Sequence, residues 1–400
     1  MQDEKKLDIA LEKFYQRYNK YNTKVLEELG SVIKQFDGIK PSDAHIIAQE
    51  LKLGFDLDKL LNELATLSGK SIEDVNKLFE IVAEDNVEFA EVYYKAKNKE
   101  YISYEDNQQL QNMVRAIEKQ TDGLFINIAN SNNIGFTLKD DKGNIIYKPI
   151  RQVYNDLIDE AVYNVSIGTK DYQGAMRKTI NQLADSGVKI HEEKLGYESG
   201  YNRRIDSSVR QDVLTGVRQI NLGIQRQIGE DFGADGLEIS AHSLCARDHL
   251  DIQGKQFFAR KGEDLDALAE RINSNLQRPI GKLNCRHFMF SILKGVSLPS
   301  YTNKQLEQYR NESLKEISYK GKTYTKYEAT QEQRRLETAI RKQKDRQIIN
   351  RAKGDKTEVG LAQQKITQLT DKYYDFSNKA GLETYKNRLV VSGYRKVKVK

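Results

Sequence analysis

The sequence is poor in residues that break helices and in residues that form disulfides. Its 400 residues include no tryptophan, four prolines and two cysteines. Two cysteines exclude the disulfide framework of a small secreted protein. Because proline removes an amide donor and clashes inside a helix, its scarcity favours long helices. With 30% charged residues and a mean hydropathy of −0.70, the composition argues against a single compact core.

Long apolar runs are absent as well. No stretch approaches the roughly 20 apolar residues that are needed to cross a bilayer. Charged residues interrupt the beginning of the chain every few positions, so it lacks the apolar centre of a secretion signal. We therefore expect a chain that is made in a cytoplasm, has no membrane partner, and either stays soluble or joins an assembly.

The order of the sequence patterns predicts a predominantly helical α+β protein in three parts. Residues 1–150 are predicted to form a helical region with a short hairpin near 135–148. Residues 151–300 are predicted to form a small central α+β domain, because glycines and short strand-like runs are frequent there. Residues 301–400 are predicted to form an extended, basic helical tail.

The first predicted helix carries a heptad-like apolar stripe. Its members follow a 4-3-4-3-4 spacing, and Gly30 is the predicted end of the helix. Such a stripe packs either inside the helix's own domain or on a partner subunit, and the sequence leaves both interpretations open. The stripe consists of Leu7, Leu11, Phe14, Tyr18, Tyr21 and Val25.

Positive charge is concentrated in the tail. The net charge of +6 is too small to indicate nucleic-acid binding, but residues 303–356 hold 15 basic and 8 acidic residues. Thr330 and Gln333 form a capping-box pattern that predicts a helix to about Lys353. Its cations could follow phosphates without sequence preference, although a solvated or subunit-facing surface fits equally well. The candidate DNA- or partner-binding residues are Arg334, Arg335, Arg341, Lys342, Lys344 and Arg346.

The clearest chemical feature is a group of histidines and cysteines in the central part. Thiolate and imidazole are ligands that zinc prefers, in tetrahedral sets of four. The spacings H-x2-C-x3-H and C-x-H match no standard zinc module, and there is no C-x-x-C pair. The candidate metal ligands are His242, His249, Cys285 and His287.

Two other interpretations of this group remain open. The imidazoles can instead form a polar core, hydrogen-bonded to carboxylates such as Asp248 or Asp251. Alternatively, Cys245 or Cys285 acts as a nucleophile, which requires contact with a histidine. The sequence therefore predicts no required cofactor, and zinc is the one candidate metal.

Several long blocks of the chain carry a family resemblance. They are YESGYNRRIDSSVRQDVLTGVRQ, GADGLEISAH, ARDHLDIQGKQF, NCRHFMFSILKGVS and GKTYTKYEATQEQRRLETAIRK, in that order across about 170–390. They resemble the phage minor capsid protein 2 family, which is similar to the Mu F-like head morphogenesis proteins. Leu244 and Cys245 depart from the small residues that the family often has there. The central-motif residues are Arg247, Asp248, Gln253, Gly254, Asn284 and Arg286, and we expect the ARDH and NCRH blocks to pack together beside His242.

The resemblance implies a structural, non-enzymatic role in head morphogenesis and DNA packaging of a tailed bacteriophage. The implied partners are the portal protein, the major capsid protein or a scaffold, and non-specifically bound double-stranded DNA. The implied location is the virion, after synthesis in the bacterial host cytoplasm. The alternative is a nuclease-like or transferase-like enzyme that uses the central His/Cys/Arg group, with zinc. A closed, buried group favours structure, whereas an open pocket with His249 and Arg247 exposed favours chemistry.

Overall fold

The computed structural model describes residues 4–54, 57–96, 98–129, 132–140, 142–192, 201–281 and 285–398. Over these ranges the chain is mostly helical with three small antiparallel sheets, which confirms the predicted α+β class. Every helix in these ranges is too short or too polar to serve as a membrane span.

The α-helices are α1 (Glu4–Lys34), α2 (Pro41–Gly54), α3 (Leu57–Ala96), α4 (Gln108–Ile128), α5 (Ile150–Ser166), α6 (Tyr172–Ala175), α7 (Arg177–Ser186), α8 (Ile205–Asp231), α9 (Leu265–Asn273), α10 (Asn303–Leu314), α11 (Lys326–Lys353) and α12 (Lys356–Lys379). Short 3-10 helices cover Arg247–His249 and Lys386–Leu389. The strands are β1 (Ile134–Lys139), β2 (Ile145–Pro149), β3 (Lys189–Glu192), β4 (Tyr201–Arg204), β5 (Gly236–Ile239), β6 (Gln256–Phe258), β7 (Met289–Ile292), β8 (Glu316–Tyr319) and β9 (Lys322–Thr325).

The three sheets have the strand orders β2-β1-β3-β4, β6-β5-β7 and β8-β9. The predicted hairpin near 135–148 is present as β1 and β2, with Lys139 opposite Ile145. Its turn is closed by Asp140, whose carboxylate accepts the N–H groups of Lys142 at 2.9 Å and Asn144 at 2.8 Å. This local side-chain bonding explains why the hairpin could be recognised from sequence.

The first helix uses its stripe to pack inside the protein, against α8 and α11. The helix does not end at Gly30, as predicted, but continues to Lys34. Gly30 lies instead where α1 crosses α11, and the backbone of α11 is too close to it to leave room for a side chain. Five of the six stripe residues are buried, namely Leu11, Phe14, Tyr18, Tyr21 and Val25.

The largest hydrophobic cluster runs across the predicted segment boundaries. It combines α1, α3, α4, α5, α7 and α8 with Ile348 and Ile349 of α11 and with Val391 near the end of the chain. Two smaller clusters lie around Phe376 in the tail and around Leu268 in the central part. The boundaries at 150 and 300 stay predictions, and the tail contributes to the core of the N-terminal helices.

The tail helix begins earlier than predicted. Thr325 is the N-cap of α11 and forms a capping box with Glu328, so Thr330 and Gln333 lie inside the helix. The preceding hairpin, β8 and β9, was not predicted. Gly354 ends α11 in the left-handed conformation, at φ +93°, which glycine adopts without steric cost.

A buried ionic network joins α1, α8 and α11. Arg204, the residue before α8, pairs with Asp345 at 2.7 Å and with Asp206 at 3.2 Å. The side chains of both aspartates are fully buried. Asn22 of α1 donates to Asp345 at 3.3 Å and accepts the N–H of Val188 at 2.8 Å. The network fixes how these helices meet.

Candidate metal centre and arginine cluster

Two paired strands bring the halves of the histidine and cysteine group together. β5 and β7 are antiparallel, with Ile239 opposite Met289, so the end of one lies beside the start of the other. Ser240 links the two loops, since its N–H donates to the Phe288 carbonyl at 2.9 Å and its hydroxyl accepts the Phe288 N–H at 2.8 Å. The described parts of the ARDH and NCRH blocks therefore lie together, with His249 in contact with Cys285 and His287.

The loop after β5 turns sharply to present His249. This residue ends the 3-10 helix, and its carbonyl accepts the N–H of Gln253 at 3.0 Å. Gly254 follows at φ +69°, where an added Cβ would lie 2.3 Å from a methyl carbon of Leu306. The positive φ therefore favours glycine at this motif position, whereas the Leu306 side chain could move aside for a methyl group.

His249, Cys285 and His287 form a compact group, which we call the His–Cys centre. Their donor atoms all lie within 4.8 Å of one another. The Nδ1 atoms of His249 and His287 are 3.2 Å apart. The Sγ of Cys285 lies 3.6 Å from Nδ1 of His249 and 3.4 Å from Nδ1 of His287. All three residues are buried.

Both imidazoles are held from behind by oxygen atoms. The Nε2 of His249 donates to the carbonyl of Arg278 at 2.7 Å. The Nε2 of His287 lies 3.2 Å from Oε1 of Gln253, which also accepts the N–H of His242 at 3.2 Å. A backbone N–H can only donate, so the Gln253 atom that faces His242 must be the amide oxygen and not the nitrogen. The same oxygen faces Nε2 of His287. Each ring therefore turns its Nδ1 toward Cys285.

The centre perturbs its own ionisation. Burial raises the pKa of Cys285, but its contact with His249 and the hydrogen bonds from the N–H groups of Gly281 and His287 outweigh this effect and bring the pKa below the ordinary value. Burial lowers the pKa of His249, but its bonds to Cys285 and to the Arg278 carbonyl raise it overall. Burial, with the nearby charges of His242 and His249, lowers the pKa of His287 to about 3.

The other candidate ligand and the second cysteine lie outside this centre. The ring of His242 packs on that of His287, with centroids 4.3 Å apart, and its Nδ1 lies 2.8 Å from the Ser243 carbonyl. Cys245 is buried, and burial raises its pKa to about 11. The two thiols thus differ, because only Cys285 is surrounded by groups that stabilise a thiolate.

The remaining motif residues have different positions. Arg247 and Arg286 are exposed, and Asn284 lies outside the described residues. Asp248 pairs with Arg278 at 3.4 Å. Sequence reasoning missed Arg278, whose backbone carbonyl orients His249, because a backbone contact leaves no trace in residue identity.

Three of the six candidate binding residues of α11 have partners outside that helix. Arg341 donates to the hydroxyl of Tyr15 in α1 at 2.7 Å. Lys344 donates to a carbonyl of the last 3-10 helix at 2.5 Å. Arg346 holds Asp185 of α7 through two hydrogen bonds of 2.7 and 2.5 Å. These three contacts attach α11 to the rest of the fold.

The other three candidates differ in exposure. Lys342 is half-buried and lies near the charge of Lys189. Arg334 and Arg335 are exposed, and Arg335 lies 3.6 Å from Glu332. The face at the beginning of α11 is therefore the part of this helix that offers arginines to a partner.

Arg334 belongs to a larger group that the sequence did not reveal. It is within electrostatic reach of Arg388, Arg286 and Arg210, and the last two also act on Arg218. We call these five residues the arginine cluster. They come from α8, the NCRH block, α11 and the last 3-10 helix, and the charge of an acid, Glu337 of α11, also acts on Arg334.

Arg218 is the unusual member of the arginine cluster. It is 6% exposed, and no ion pair or hydrogen bond to its side chain is found in the described part of the chain. Burial lowers its pKa, and the like charges of Arg286 and Arg210 lower it too, against the raising effect of Cys285. A buried cation is stable only when an anion or hydrogen-bond acceptors offset the cost of its burial.

The fold and the site together describe a helix-rich protein whose central chemical group is closed off from solvent. Residues 3–378 match the model of the family described as phage minor capsid protein 2. The chain therefore belongs to the phage minor capsid protein 2 family, which confirms the resemblance drawn from its sequence blocks. Membership places it among the structural proteins of the bacteriophage head. No curated protein and no solved structure matches the chain.

Proposed function

We propose that this protein acts in head morphogenesis at the portal, with the portal protein and the major capsid protein or a scaffold as its partners. The observation that carries the proposal is the family match over residues 3–378, which takes in α1 through nearly all of α12 as one capsid-protein unit. The protein is made in the cytoplasm of the bacterial host and remains in the virion.

Burial of the His–Cys centre supports a role without catalysis. His249 is 2% exposed, His287 1% and Cys285 7%, so the three side chains offer little surface to a substrate. A catalytic cysteine needs both a lowered pKa and access. The contact between Cys285 and His249 is the one observation that favours the enzymatic alternative, and it meets only the first requirement.

Alkylation of the native protein separates these two roles. Iodoacetamide at neutral pH should modify Cys285 no faster than Cys245, which serves as a buried reference in the same molecule. Selective modification of Cys285 without unfolding would contradict the structural role and favour the enzyme.

We further propose that the arginine cluster contacts the packaged DNA. Arg218 supports this, because an anion that reached its guanidinium would offset the cost of its burial. Arg286, whose charge acts on both Arg218 and Arg334, is exposed, as Arg334 is, and both side chains would bind phosphates. Such contacts release counterions and carry no sequence preference, which suits a protein that meets the whole genome.

Cross-linking of purified heads tests the head role. We expect cross-links from this chain to the portal protein, and fewer complete heads when its gene carries a nonsense codon. Absence of the chain from both procapsids and virions would refute the proposal. Restoration of head yield by the wild-type gene but not by an empty vector is the control.

DNA binding is tested on the full chain with a short duplex of random sequence, by fluorescence anisotropy over a range of salt concentrations. In an Arg286→Ala/Arg334→Ala variant, the slope of log affinity against log salt should fall by about 2, roughly 0.9 for each phosphate contact. The control is Lys320→Ala/Lys322→Ala, which removes the same charge from exposed positions beside the β8–β9 turn. An equal fall of the slope in both variants, or no DNA binding by the wild type, would refute the assignment of DNA contact to the arginine cluster.

A further inference from the structure

We propose that the His–Cys centre is a zinc site in which Nδ1 of His249, Nδ1 of His287 and Sγ of Cys285 are three ligands of one ion. The inference rests on the positions of these atoms and does not depend on the role in the head. Thiolate and imidazole together are a donor set that zinc prefers to harder cations such as magnesium or calcium.

The first argument concerns where the two imidazoles carry their protons. A backbone carbonyl only accepts, so Nε2 of His249 must carry the hydrogen that it donates to Arg278. The amide oxygen of Gln253 also only accepts, so Nε2 of His287 must carry its hydrogen as well. In the neutral rings both Nδ1 atoms are then unprotonated, and their lone pairs face each other across 3.2 Å.

Two lone pairs at this distance repel unless something positive lies between them. The thiol proton of Cys285 can serve only one of the two nitrogens at a time. A metal ion serves both nitrogens and the sulfur together, and its binding releases the single thiol proton to solvent. The outer contacts are those of zinc proteins, in which a ligating histidine donates its other N–H to an oxygen atom.

The second argument is the spacing of the donor atoms. Zinc lies about 2.0–2.1 Å from imidazole nitrogen and about 2.3 Å from thiolate sulfur. Tetrahedral ligands at those lengths are separated by about 3.3–3.4 Å for two nitrogens and by about 3.5–3.6 Å for nitrogen and sulfur. The observed separations are 3.2 Å for the nitrogens and 3.6 and 3.4 Å for the two nitrogen–sulfur pairs.

The place of the centre in the fold indicates what the ion would do. It would join the loop after β5 to the loop before β7, at the end of a sheet of only three strands. The hydrophobic cluster of this part is small, so a bound ion would add stability that packing alone supplies weakly. Among the described residues the ligand group has three members, and His242 stacks on His287 without joining it.

The test uses the full chain, purified without a histidine tag and without chelator. Elemental analysis should find about one zinc per chain in the wild type and in Cys245→Ser, and almost none in Cys285→Ser. Cobalt(II) exchanged into the site should show visible d–d bands and a thiolate charge-transfer band. The Cys245→Ser variant should retain that band, because it removes the other buried thiol and leaves the three ligands in place.

The wild type decides the question even if Cys285→Ser fails to fold. Folded wild-type protein that contains no zinc, and that binds neither added zinc nor cobalt, would overturn the proposal. The centre would then be a hydrogen-bonded polar core in which an additional proton occupies the space between the imidazoles. Zinc that persists undiminished in folded Cys285→Ser would overturn it equally.

Discussion

Gly30 of α1 lies directly against the backbone carbonyl of Ile349 in α11. A Cβ added to Gly30 would be 2.5 Å from that oxygen and 2.8 Å from the Cβ of Ala352. The first and eleventh helices therefore cross with their backbones nearly in contact. Because Ile348 and Ile349 are buried beside this crossing, it unites the N-terminal helices with the tail.

Replacement of Gly30 by alanine should destabilise the protein. The added methyl group meets backbone atoms, which cannot move aside as a flexible side chain can, so we expect a loss of about 1–3 kcal/mol in the free energy of unfolding. Urea unfolding followed by circular dichroism measures the change. The matched control is Gly69→Ala in α3, where nothing lies within 4 Å and the greater helix propensity of alanine should stabilise by about 1 kcal/mol. If Gly30→Ala left the free energy of unfolding unchanged, the two helices could move apart without loss of stability.

Removal of Arg204 should be among the most damaging substitutions in the fold. Arg204→Met would leave Asp206 and Asp345 buried together without the cation that pairs with both of them. Loss of one partner from a buried ion pair costs about 3–5 kcal/mol, measurable as a lower midpoint of urea unfolding. Arg335→Ala is the control, since that side chain is 81% exposed and its loss should change stability by less than about 0.5 kcal/mol. Similar midpoints for the two variants would show that the network is not required for stability.

The sequence predicted those features that depend on neighbouring residues. The β1–β2 hairpin was recognisable because Asp140 closes its own turn. The capping box was placed five residues late, since Thr330 and Gln333 have the same spacing as the true pair, Thr325 and Glu328. A spacing rule alone cannot choose between two candidates that follow one another so closely.

Features that depend on distant contacts were predicted less well. The histidines and Cys285 were found because their chemistry is distinctive, whereas nothing in residue type distinguishes Arg218 from the other arginines of the chain. Likewise, the identity of Arg346 does not reveal that it faces Asp185 in α7. A basic helix looks the same in sequence whether its cations face DNA or the protein's own interior.

Acid should weaken the central part of the protein through Glu263. Hydrogen bonds from Arg271, and one from the N–H of Arg260, lower the pKa of this carboxylate to about 2. A carboxylate with a lowered pKa stabilises the folded state above its unfolded pKa of about 4.3, and this contribution is lost as pH falls toward 2. Thermal unfolding should therefore show Glu263→Gln less stable than wild type near neutral pH, with the two converging at low pH. If the difference in stability between Glu263→Gln and wild type stayed constant over the whole pH range, ionisation of Glu263 would not be the source of the acid effect.

Gln253 should control metal affinity without being a ligand. Its amide oxygen accepts from Nε2 of His287 and from the N–H of His242, so it keeps Nδ1 of His287 directed at Cys285. Loss of such an outer contact weakens zinc binding about 10–100-fold, so Gln253→Ala should lose that much affinity in competition with a chromophoric chelator. The cobalt spectrum should keep its thiolate band, because all three ligands remain. Gln256→Ala is the control, since Gln256 bonds to Glu238 and not to the centre. If Gln253→Ala binds zinc as tightly as Gln256→Ala does, the orientation of His287 is set by packing, and the contact from Gln253 has no part in the site.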